Sequence, residues 1–101
     1  MTDVTLLAGA ERDVFEIFAR IESYHPESAD AFLRRFESVM WQLGEHPESA
    51  PIFAGRFRRL VMRGYPFGVF FSVENTRLFV QAVLDLRQDP DAIRRRLELE
   101  A

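Results

Sequence analysis

The polar and apolar positions change period along the chain, and each period predicts an element. Val4 to Leu7 is a short apolar run before Ala8-Gly9 and reads as a strand. From Ala10, apolar residues recur at Val14, Ile17, Phe18 and Ile21 in steps of three and four, the mark of an amphipathic helix. Glu11, Arg12, Glu16 and Arg20 fall on its other faces. That helix stops before His25-Pro26, because a residue preceding proline avoids helical geometry. Pro26 suits the first turn of a second helix, with Glu27 near its positive end. Ala29, Phe32, Leu33, Phe36, Val39, Met40 and Leu43 carry the second helix to Gly44, a candidate terminator. Two such helices joined by a short turn form an antiparallel hairpin with a shared apolar seam.

Glu45 to Gly55, with two prolines and a glycine, reads as a loop. The period then falls to two. Leu60 and Met62 alternate with Arg59, Val61 and Arg63. Val69, Phe71 and Val73 alternate with Phe70 and Ser72. After the turn "ENT", Leu78, Val80, Ala82 and Leu84 alternate with Arg77, Phe79, Gln81 and Val83. Three strands joined by short turns make an antiparallel meander. Asp89-Pro90 is a cap and first-turn pair for a last helix, with Ile93 and Leu97 one turn apart. The expected fold class is α+β: two layers, a helical hairpin packed on an antiparallel sheet, and a short C-terminal helix. Phe18, Phe32, Phe36, Leu60, Val69, Phe71 and Val80 are the expected core.

Composition narrows the function classes. The chain has 101 residues, and residues 1–101 read as a single domain. There is no cysteine, which excludes disulfides and thiolate metal sites and fits a cytoplasmic protein. No apolar run reaches the roughly 18 residues of a membrane helix, so no membrane association is expected. The start "MTDVTLLAGAERD" lacks the basic-then-apolar order of a signal peptide. All thirteen basic residues are arginine, within a formal charge of −3. That balance argues against the chain holding nucleic acid by itself, and the absence of lysine removes every lysine-based mechanism.

"HPESA" occurs twice, at His25–Ala29 and His46–Ala50. The copies flank the second helix, roughly 27 Å long at 1.5 Å per residue, so the two histidines cannot share one ion. The string reads as a turn or helix start used twice, and no metal or other cofactor is expected. Trp41 and the phenylalanines offer a stacking platform for bases, but their spacing fits core packing better. "IRRRLELE" reads as a solvated charge run, with Glu98 and Glu100 offsetting the three arginines Arg94 to Arg96. The remaining arginines border the sheet. Arg59 and Arg63 share one strand face and Arg58 takes the other; Arg56 precedes the strand and Arg87 follows the last one. A cluster of Arg56, Arg58, Arg59, Arg63 and Arg87 would hold phosphate or carboxylate in bidentate fashion. The competing reading is a sheet edge blunted by charge.

Taken together, "AERDVFEIFARI", "PESADAFLRRFESVMWQLGEHP", "GRFRRLVMRGYPFGVFFSV" and "VLDLRQDP" resemble the RelE/ParE superfamily of toxins from type II toxin–antitoxin pairs. Order and spacing carry the likeness over nearly the full length. The long hairpin and the closing "RQDP" lean towards ParE and the plasmid-stabilisation proteins. The resemblance implies a toxin that binds a protein target such as DNA gyrase and is neutralised by a cognate antitoxin. Its alternatives are a RelE-type, ribosome-dependent mRNA endoribonuclease, or a non-toxic binding module of the same descent. The chain departs from the RelE pattern: Gly68 follows Phe67 where many RelE-like strands carry arginine, and no aromatic residue follows Val83. A residual nuclease set would be Arg63, Arg87 and Tyr65. Antitoxin tails in this superfamily are commonly acidic, which would suit an arginine-lined groove.

Overall fold

A computed structural model describes the backbone of residues 2–100 and the side chains of residues 2–98. In chain order it contains β1 (Asp3–Leu6), α1 (Ala8–Tyr24), α2 (Pro26–Glu45), β2 (Ile52–Ala54), β3 (Phe57–Val61), β4 (Phe67–Glu74), β5 (Arg77–Asp85) and α3 (Pro90–Glu100). The strands form one sheet in the order β1-β5-β4-β3-β2. The expected meander is β3-β4-β5, paired antiparallel throughout. β1 joins β5 in parallel, so the sheet is mixed rather than wholly antiparallel.

Three local features differ from the pattern-based reading and a fourth agrees with it. α1 begins at Ala8, because Glu11 N–H already reaches the Leu7 carbonyl. Gly44 does not end α2: the helix runs through it to Glu45, and the buried Gly44 offers its carbonyl to Thr2 N–H. Three residues of the expected loop, Ile52–Ala54, pair with the start of β3 as a short edge strand. The "HPESA" copies do sit at the two ends of α2. His25 is its N-cap, with Nδ1 accepting from Ser28 N–H at 3.3 Å, and His46 is its C-cap.

The helical hairpin covers one sheet face. Ile17, Phe32, Phe36, Val39 and Leu43 pack there against Val69, Phe71, Leu78 and Val80. The other face is covered by α3, whose Ile93 and Leu97 meet Phe57, Phe70, Ala82 and Leu84. The fold therefore has a third layer beyond the expected two. Both faces of β4 are buried, which explains its nearly unbroken apolar run.

Of the expected core, Phe32, Phe36, Val69, Phe71 and Val80 are buried, while Phe18 and Leu60 are only partly so. Phe18 misses because the buried stripe of α1 runs through Ala10, Asp13 and Ile17. The alternation in β5 also breaks. A bulge shifts the register between Phe70↔Ala82 and Phe71↔Val80, leaving Gln81 as the extra residue. Ala82 and Leu84 consequently face α3, and Val83 takes the hairpin face that strict alternation gives to Ala82. Gln81 is buried and donates from Nε2 to Ser72 Oγ at 3.1 Å.

Candidate functional site

The five arginines do not gather at one point. β3 and β5 are each antiparallel to β4 and so run the same way. The start of β3 and the end of β5 are therefore at opposite ends of the sheet, which separates Arg56 from Arg87. Arg56 lies over the Phe57 ring at 4.8 Å. Arg58, on the hairpin face, donates from Nη1 to the Ala50 carbonyl at 2.7 Å and so ties down the loop before β2. Arg59 stacks over Phe53 at 5.3 Å on the α3 face, and Arg94 approaches the same ring at 5.5 Å. Arg63 does not share the face of Arg59, since the chain leaves β3 after Val61 and Arg63 lies in the following turn beside α2.

Arg63, Tyr65 and Arg87 are brought to the same end of the sheet. Leu86 N–H donates to the Pro66 carbonyl at 2.8 Å, setting the two turns side by side. Two of the three side chains are already engaged. The Tyr65 ring packs edge-on against Phe32 at 5.6 Å and stacks on Phe67 at 6.3 Å. Arg87 grips Asp85 through Nε at 3.0 Å and Nη2 at 2.7 Å. That grip holds the Asp85 carboxyl down at about 2, chiefly through the Arg87 side-chain hydrogen bonds and then the Arg87 N–H.

A pH dependence follows. A carboxyl lowered by folding stabilises the fold above its unfolded pKa of 3.8 and loses that contribution as pH falls towards about 2. Asp85→Asn is therefore expected to be slightly less stable than the parent at pH 7. The difference should close between pH 4 and pH 2 in urea titrations. It stays small because the Arg87 side chain is 75% exposed.

Gly68 is enclosed. A Cβ there would lie 2.8 Å from Leu86 Cδ2 and 3.3 Å from Arg59 Cγ, so any larger side chain at this position has to displace the Leu86 side chain. Among the described residues no group of His, Cys, Asp or Glu is arranged to hold a metal ion. Likewise, none of the described helices is long and apolar enough to cross a membrane.

Two grooves flank α2. The first, about 400 Å³, runs between α2 and β1 and is lined by Val4, Phe36, Met40 and Trp41, with Asp3 and Glu37 beside them. Trp41 is 64% exposed, so it is a surface residue and not the core residue its spacing predicts. The second, about 480 Å³, lies between α2 and the end of β3 and is lined by Arg35, Val39, Leu60, Val61 and Arg63 among others.

Sequence reading missed one residue that shapes this end of the molecule. Asp13 is buried, and its Oδ2 accepts from Val83 N–H at 2.9 Å and from Arg96 Nη2 at 2.8 Å. Arg96 thus turns inward from the charge run assigned to solvent. The Glu100 side chain, expected to offset that run, lies outside the described residues. Burial raises the Asp13 carboxyl above its ordinary value, against the lowering effect of its two hydrogen bonds.

The hairpin on a meander, with β1 closing the sheet in parallel, defines a small α+β domain that recurs in known proteins. A family model for the ParE toxin of the type II toxin–antitoxin system, parDE, matches residues 4–90. The chain belongs to that family. Its fold is similar to a solved chain described as the chromosomal ParDE TA system from P. aeruginosa, with a TM-score of 0.73 at 17% identity. The match covers 82% of this chain and 94% of that one. No curated protein matches it.

Proposed function

We propose that this protein is a type II toxin that acts by binding a protein target, DNA gyrase first among candidates, and is neutralised by a cognate antitoxin. Family membership supports the toxin and its antitoxin partner. The observation that carries target binding over RNA cleavage is the engagement of Arg87 and Tyr65, two of the three residues of the residual nuclease set. Cleavage through the 2′-hydroxyl needs a base, an acid and cations free to meet the phosphorane charge. Arginine supplies only the cation, since it keeps its proton near neutrality. Here Arg87 is occupied by Asp85, Tyr65 is packed between aromatic rings, and Gly68 supplies no further cation. The exposed Trp41 groove offers apolar surface of the kind that marks interaction sites.

The endoribonuclease is the second reading, because Arg63, Tyr65 and Arg87 do share one end of the sheet. Two assays on purified protein separate the readings. Inhibition of gyrase supercoiling with messages left intact on translating ribosomes is the expected result. Codon-phased cuts that vanish in Arg87→Ala would overturn it.

A further inference from the structure

We propose that the groove between α2 and β1 is the surface with which this protein grips its target, and that it receives an extended segment, apolar on one side and basic on the other. This rests on the target-binding reading given above. Backbone direction is the first observation. Asp3 N–H donates inward to the Thr76 carbonyl at 3.1 Å, and Leu7 N–H donates inward to the Val80 carbonyl at 3.0 Å. Alternate residues of a strand share a direction, so Val4 turns its N–H and carbonyl outward. β1 is the last strand of the sheet. Thr2 N–H, on the same outer side, meets the Gly44 carbonyl of α2 at 3.0 Å. The helix thus closes the edge at Thr2 and leaves it open at Val4. The Val4 side chain packs on the hairpin face, where Phe36, Met40 and the exposed Trp41 line the groove. Asp3, one residue earlier, takes the opposite face.

Charge is the second observation. Asp3 and Glu37 border the groove, and both are exposed. Neither forms an ion pair with any described residue, although Asp13, Asp85 and Asp91 all do. The last turn of α2 carries no basic residue, so the negative end of the helix is not offset there. The groove therefore has an apolar floor and a negative rim. A strand laid along Val4 would gain main-chain hydrogen bonds from the open edge. It would send alternate side chains towards Met40 and Trp41, and the intervening ones towards the side of Asp3. The matching sequence is leucine-like residues interleaved with arginine or lysine. The same rim disfavours a second copy of this chain, which would set Asp3 and Glu37 against their own kind.

The test uses the purified full chain and two acetylated peptides, Arg-Leu-Arg-Leu-Arg and its charge-reversed analogue Glu-Leu-Glu-Leu-Glu. Trp41 is the only tryptophan, so fluorescence reads the groove directly. The basic peptide should move the emission to the blue and bind at least about tenfold more tightly than the acidic one. Asp3→Arg with Glu37→Arg should weaken that binding by about tenfold or more, while Glu22→Arg, at an exposed position on α1, should leave it unchanged. Val4→Pro removes the outward N–H without touching the β5 ladder, and should abolish binding. Should Val4→Pro fail to fold, the charge-reversed pair decides. The same pair should lose inhibition of gyrase supercoiling by about tenfold or more. Equal binding of both peptides, no spectral shift at millimolar peptide, a blue shift produced by protein concentration alone, or full inhibition by the charge-reversed pair would each overturn the proposal. The third of these would make the groove a self-association site. Should the parent leave gyrase active, the gyrase reading fails and the peptide measurements still decide the groove, so the two failures are separately visible.

Discussion

Truncating Phe71 to alanine is expected to destabilise the protein by about 3–5 kcal/mol. Phe71 is fully buried in β4, with Arg58 opposite it on β3 and Val80 opposite it on β5. Its ring lies in the layer where the helical hairpin meets the sheet. The strand is pinned on both sides, so the sheet cannot collapse into the space left behind. A domain of this size is typically stable by only about 5–15 kcal/mol, so the loss is a large share of the total. At roughly 4–8 °C per kcal/mol, the melting temperature should fall by well over 10 °C. Leu60→Ala, at a partly exposed position on the next strand, should lose less than half as much. Urea titrations of both variants check the order. A Phe71→Ala loss below about 1.5 kcal/mol would mean that the hairpin does not depend on this layer.

The hairpin and the meander were legible in the sequence because each buries one stripe. Phe32, Phe36, Val39 and Leu43 repeat at helical spacing on the side that packs, and Val69 and Phe71 alternate on the side that receives them. What was not legible required knowledge of partners. Nothing in Val4 to Leu7 says that the strand joins β5 in parallel, since the helical hairpin and three further strands separate the two in the chain and only the closed sheet brings them together. The bulge at Gln81 has no local signature, yet it reassigns Ala82, Val83 and Leu84 to opposite faces. Trp41 fits a helical stripe by spacing, but α2 turns that part of its surface to the β1 groove.

The arginines show the same limit. Alternation placed Arg58 and Arg59 on opposite faces, and the sheet keeps them there. It could not show that Arg58 holds a loop carbonyl or that Arg59 lies on Phe53, because both contacts come from chain read as structureless. The alternation continues through Met62 and so gives Arg63 a strand face, whereas β3 ends at Val61. Asp13 did leave a trace: a carboxylate three residues after Ala10 and four before Ile17 lies within an apolar stripe. A charge at that spacing points either to an exposed margin or to a buried partner, and only the fold brings up Val83 and Arg96.

That partner set ties the buried charge of Asp13 to two other elements of the described fold. β1 pairs with β5 only as far as Val80, so the β5 edge beyond is open to a side chain. Asp13 fills the opening by accepting Val83 N–H, and Arg96 reaches its carboxylate from α3 on the far face. One carboxylate thereby links α1, β5 and α3. Asp13→Ala leaves the Val83 N–H without its acceptor and breaks a largely buried ion pair, and should cost about 3 kcal/mol. Asp13→Asn keeps an oxygen for Val83 and should lose less. Linkage then separates the roles of charge and burial. Burial raises the Asp13 carboxyl above 3.8, so its proton is held more tightly in the folded state. A raised pKa contributes stability that is fully present below the unfolded value and is lost as pH rises through the folded one. The stability of the parent relative to Asp13→Asn should therefore be greatest below pH 3.8 and decline towards neutrality. A parent advantage that instead grows with pH would show that the attraction of Arg96 outweighs the desolvation of the carboxylate.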